Sequence, residues 1–233
     1  MQSKGRILHG NAAKAREKEQ FTESLTFNDD ALFAYDKEND DLGFSEGLAC
    51  RSITLRVYGS LHKSKRILTL AKYEMLASVD LARQSGIKES LGIPLYNLAE
   101  LQEDLGEFDE AVKSYKEAVE NMENNPPETH KRNSVLADMK VHLATCEYKA
   151  GDKTALERAE KALEELKASD DAPNKYSKDV WVAGGYMRIA NIIKNDDQNK
   201  AREYLEKAKK IIETNPDLTL RKKQWEQLST SIL

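Results

Sequence analysis

At 233 residues with a formal net charge of -4, the chain has room for one large domain or two small ones, and its charge is too balanced to argue for nucleic acid or a membrane surface as partner. Charged residues make up 33% and aromatics 7%, with 11 glycines and 5 prolines, a mix that suits exposed helical surface and is poor for an all-β domain. No apolar run near the N-terminus has signal-peptide length and none approaches the ~20 residues of a membrane span, so the expectation is a soluble, cytoplasmic protein.

Residues 1–20 carry five basic and two acidic side chains. Asn11 to Gln20 suit a weakly apolar helix, either the first of a pair or a tail. Residues 21–37 read as a helix with Phe21, Leu25, Ala31, Leu32 and Tyr35 on its apolar side, ended by Glu38-Asn39-Asp40-Asp41. From Ser45 to about Ser60 the apolar side is Leu48, Ala49, Ile53, Leu55, Val57 and Tyr58, and a partner helix follows from Lys65 to Gln84.

Gly92 to Asn125 is the clearest unit. Leu95, Leu98, Ala99 and Leu101, then Phe108, Ala111, Val112, Tyr115, Ala118 and Val119, follow the three-and-four spacing of one buried helical stripe. Pro94 belongs in a first helical turn, which places the start near Ile93. Gly106 breaks the pair, because glycine takes the left-handed conformation that ends a helix, and Asp109-Glu110 supply acidic groups for the next first turn.

Asn124-Asn125-Pro126-Pro127 is the most obvious stop in the chain. Residues 132–150 then read as a helix, Gly151-Asp152 as a turn, and Ala155, Ala159 and Ala162 as the apolar side of its partner. After a loop from Ser169 to Lys175 come helices at about Lys178 to Lys194 and Lys200 to Thr214, the second carrying Ala201, Leu205 and Ala208. Asn215-Pro216-Asp217 ends that pair, and Leu218 to Ile232 reads as a last amphipathic helix.

The 92–125 stretch resembles the tetratricopeptide repeat. Leu98 and Ala99 hold the family's leucine and small residue in the first helix, Gly106 its turn glycine, and Ala111, Tyr115 and Ala118 the alanine, aromatic, alanine series of the second. Two marks depart from the pattern: Leu95 stands where tryptophan is usual, and Pro126-Pro127 come a few residues late. In the second unit Ala71, Met75 and Ser78 take the corresponding places, and Ala71 and Ala111 stand 40 residues apart, against about 34 in the standard repeat. The resemblance implies an all-α, right-handed solenoid of about four to five helical hairpins plus a C-terminal capping helix. Its parts are a segment 1–20, one array over 21–217 with units at about 21–44, 45–86, 90–125, 130–169 and 177–217, and a cap at 218–233.

No phosphate loop, HExxH, GxSxG or paired CxxC occurs in the chain. No catalytic residue, metal or cofactor is therefore expected. His142 and Cys146 share a helix face at i and i+4, but two ligands do not make a zinc site. Cys50 and Cys146 read as reduced, buried fillers. Gly184-Gly185 within a helix costs on the order of 1 kcal/mol per residue relative to alanine. A late helix start or close helix packing accounts for the pair, or else room for a ligand backbone. Charge is unevenly spread: six basic and no acidic residues lie between Arg51 and Lys72, and ten acidic residues against Lys113 and Lys116 between Glu100 and Glu128. Either neighbouring units attract one another, or the polarity orients a bound peptide.

By the resemblance, one face of the first helices forms a peptide-binding groove. It would carry Arg56 and Ser60, then Tyr96, Asn97 and Glu100, then His142 and Thr145, then Arg188 and Asn191. Asn97 occupies a place where the family uses asparagine to hold a ligand main chain, and Arg56, Asn97 and Arg188 together suit a carboxylate. The implied function is a non-catalytic scaffold for a protein or peptide partner. The alternatives are a self-assembling repeat protein, giving a homo-oligomer, or a module that regulates an enzyme or response protein in trans.

Overall fold

The computed structural model describes residues 3–128 and 131–232. Among the described residues there are eleven α-helices and no strand. The chain divides into two compact units, Met1–Pro127 and Glu128–Leu233. The division falls beside the Pro126-Pro127 stop.

The first unit holds α1 (Lys4–Glu17), α2 (Phe21–Glu38), α3 (Asp41–Leu61), α4 (Lys65–Gln84), α5 (Gly92–Leu105) and α6 (Phe108–Asn124). They pair as three hairpins, α1 with α2, α3 with α4 and α5 with α6, and α3 packs on both α1 and α5. In the segment left open by its sequence between helix and tail, Lys4–Glu17 form α1 and pair with α2: the buried Ser24 hydroxyl of α2 donates to the Ala12 carbonyl of α1 at 2.8 Å. Helix α3 begins at Asp41, ahead of the expected Ser45. Asp40 accepts from the Gly43 N–H at 2.7 Å and caps it.

The second unit holds α7 (Asn133–Lys149), α8 (Ala155–Ala168), α9 (Lys175–Ile193), α10 (Gln198–Thr214) and α11 (Thr219–Ser229). Here α7 pairs with α8 and α9 with α10, and α11 packs on α9 and α10. Side-chain caps set two starts earlier than periodicity alone indicates. Asn174 accepts from the Ser177 N–H at 2.8 Å and Asp197 from the Lys200 N–H at 3.0 Å.

The expected registers hold. Ala71, Met75 and Ser78, Ala111, Tyr115 and Ala118, Ala155 and Ala159, and Ala201, Leu205 and Ala208 are all fully buried. Alanine at these places lets paired helices approach closely, while the larger residues fill the space between them. Pro94 sits in the first turn of α5 and Gly106 ends it at φ 81. Gly184 and Gly185 serve close packing: a methyl group on Gly185 would stand 2.7 Å from Leu163 Cδ1 of α8, and one on Gly184 3.1 Å from Arg221 Nη2 of α11. Helix α11 caps the second unit. The Trp225 indole N–H donates to the Leu205 carbonyl at 2.9 Å, and the flanking Leu218 and Ile232 are buried.

Candidate functional site

In the first unit, α3 and α5 bring together Arg56, Ser60 and Glu100 with a fourth residue, Asp104. The Arg56 Nε donates to Asp104 Oδ2 at 2.8 Å, its Nη1 pairs with Glu100, and the Ser60 hydroxyl donates to the same Asp104 oxygen at 3.0 Å. Burial alone would lower the pKa of the guanidinium, but Glu100 and Asp104 more than offset it and the value is raised. Arg56 is therefore committed to two carboxylates of its own chain. Its charge is already met by them, through Nη1 and Nε.

The opposite charge blocks of the second and third hairpins meet along this junction. Besides Arg56, Lys72 Nζ lies 2.6 Å from Glu107 Oε1, and Arg83 holds both oxygens of Glu117 at 2.9 and 3.1 Å. Attraction between neighbouring units accounts for the charge pattern. Asp104 escaped the sequence reading, although its place one turn after Glu100, inside the acidic block, was the available signal.

Tyr96 and Asn97 follow on α5, both half-buried. The Tyr96 ring meets that of Tyr115 edge-on, with centroids 5.7 Å apart, and the Tyr115 hydroxyl donates to Glu103 Oε2 at 2.9 Å. This packing under Tyr96 fixes its ring. Among the described residues the side-chain amide of Asn97 has no hydrogen-bond partner.

The second unit carries the other expected residues. On α7, Thr145 is fully buried and its hydroxyl donates to the His142 carbonyl at 3.0 Å. His142 is also buried, with Nε2 4.0 Å from Asp138 Oδ1. Neither side chain lines an open face, a correction to their expected place in a groove: α7 is covered on most sides, so its polar positions are spent on internal bonding. On α9, Arg188 and Asn191 are half-buried. Among the described residues no group of three or more His, Cys, Asp or Glu is placed to hold a metal ion, and no helix is long and apolar enough to cross a membrane. Cys50 and Cys146 are both buried, and among the described residues neither forms a disulfide.

Residues 94–125 match the family model of the tetratricopeptide repeat. No curated protein matches the chain. Among solved structures it is similar to a putative kinesin light chain with nearly identical TPR-like repeats from Podosopora anserina, at 16% identity and a TM-score of 0.58, over 90% of this chain and 96% of that one. It is also similar to BtubC (BKLC) from P. vanneervenii, at 17% identity and a TM-score of 0.59, over 87% and 77% of the two chains. A Rap protein complexed with competence and sporulation factor matches at 14% identity and a TM-score of 0.60, over 98% of this chain and 64% of that one. At such identities the likeness is one of fold. The chain thus has an all-α, tetratricopeptide-type repeat fold, and its residues 94–125 are a repeat of that family.

Proposed function

We propose that the chain is a non-catalytic protein-interaction scaffold that holds an extended segment of a partner along the first-helix face of its first unit. The observation that carries this reading is Asn97, a half-buried amide without a partner of its own beside the packed ring of Tyr96. An amide donates and accepts together, so it matches the N–H and C=O of an extended peptide, and Tyr96 offers the adjoining apolar anchor. A fold shared with a Rap protein solved in complex with competence and sporulation factor supports the same class of activity. In the second unit Arg188 and Asn191 on α9 provide polar contacts of their own. Two buried cysteines that form no disulfide among the described residues agree with a reducing, cytoplasmic setting.

The test is selection of linear peptides from a random displayed library on the immobilised full chain, followed by affinity measurement. Asn97→Ala should weaken the selected peptides by about 1 to 3 kcal/mol, and Tyr96→Ala should weaken them as well. Peptides that bind both variants as tightly as the parent would remove this face from the site.

A further inference from the structure

Helix α4 carries two apolar stripes where a repeat helix needs one. The first, Leu68, Ala71, Met75 and Ser78, is buried within the first unit. The second faces outward: Leu70 is 46% exposed, Tyr73 is 62% exposed, and Ala77 follows one turn on, also exposed. With Arg66, Asp80 and Gln84 these positions alternate by four and three, the spacing of a seam between two packed helices. The corresponding face of α6 shows no such stripe, since Glu110, Lys113, Glu117 and Glu120 stand exposed at the matching positions.

The charges at the two ends of the α4 seam say what fits it. Arg66 and Asp80 lie at equal distances on either side of Tyr73. Arg66 is exposed and forms no ion pair among the described residues. Asp80 is exposed too and is met only loosely by Arg83, at 3.9 Å. An antiparallel copy of α4 crossing at Tyr73 would bring each Arg66 against the other copy's Asp80, a self-complementary pattern of the kind a two-fold interface requires. Phe33 on α2 is also an exposed large apolar side chain, at 67%. Helices α2 and α4 are tied at this level by Arg51, which holds Asp29 at 2.8 Å and also pairs with Glu74.

We propose that two copies of this chain associate through the outward face of α4, with Leu70, Tyr73 and Ala77 buried at the centre and paired Arg66–Asp80 contacts at both ends. The partner is a second copy because the charge arrangement is its own complement about Tyr73.

The experiment is the mass of the full chain by sedimentation and light scattering from micromolar to submillimolar concentration. The expected result is a concentration-dependent rise from one chain of 26.4 kDa toward twice that mass. Leu70→Glu with Tyr73→Glu should hold the mass at one chain with an unchanged helical circular dichroism spectrum. Arg66→Asp alone and Asp80→Arg alone should each weaken association by about tenfold, because each places like charges together at both ends. The double exchange, which makes the ends complementary again, should restore it. A single-chain mass throughout, a dimer indifferent to the Leu70 and Tyr73 changes, or a double exchange no better than the single ones would each overturn the proposal.

Discussion

The ring of Tyr35 fills the space that a side chain on Gly43 would need: a methyl group there would stand 2.4 Å from Tyr35 Cδ1 and 2.5 Å from Asp40 Oδ2. Gly5, from α1, meets the same ring at 2.5 Å, so the start of α3 and the start of α1 close on one aromatic from two sides. Gly43→Ala should therefore lower the stability of the chain by about 1 to 3 kcal/mol through overpacking. Gly10→Ala, on α1 with nothing within 4 Å of the added carbon, should raise it by about 0.5 to 1 kcal/mol through helix propensity. Urea unfolding of the two variants checks the pair, and equal effects would contradict this packing.

Tyr35 also predicts a response to alkali. Burial, and after it the balance of Arg6 against Glu46, Asp40 and Glu38, pushes its phenol up from 10.0 to about 12. A phenol whose folded value is raised contributes stability that is fully present below the unfolded value and is lost as pH rises through the folded one. The first unit should thus weaken between pH 10 and about 12. Tyr35→Phe, which cannot ionise, should lose less over that interval. Melting temperatures of parent and variant that fall in parallel across it would refute this assignment.

Removing Arg56 should be costly out of proportion to one surface charge, because Glu100 and Asp104 would be left facing each other with side chains 12% and 27% exposed. Arg56→Gln is expected to destabilise by about 1 to 3 kcal/mol. Salt screens the repulsion that the substitution creates, so the difference should narrow at high ionic strength. Unfolding curves at low and high salt measure both effects, and a variant as stable as the parent at low salt would show that the junction does not depend on this arginine.

The adjacent glycines of α9 should behave differently from each other. At Gly185 the obstacle is Leu163, 1% exposed in the core, at 2.7 Å. At Gly184 it is the guanidinium of Arg221 on a half-buried flexible stem at 3.1 Å. Gly185→Ala should cost about 1 to 3 kcal/mol by overpacking. At Gly184 the gain in helix propensity should offset most of the strain. Thermal unfolding that ranked the two in the opposite order would mean α8 yields more readily than α11.

What the sequence determined by itself was local and periodic. Three-and-four spacing located the pairs, named Ala111, Tyr115 and Ala118 as buried, and set α4 at Lys65–Gln84, because a helix side chain's facing direction depends only on its neighbours along the chain. Pro94 and Gly106 likewise mark their own backbone needs. Tertiary structure decided which groups meet between helices and which polar side chains are covered. It placed Arg56 on Glu100 and Asp104, Tyr35 against Gly43 and Gly5, and Thr145 out of solvent. Those choices depend on how one helix stacks on the next. A cation's partner, and whether a polar side chain faces a groove or the interior, follow from that stacking and not from the repeat pattern.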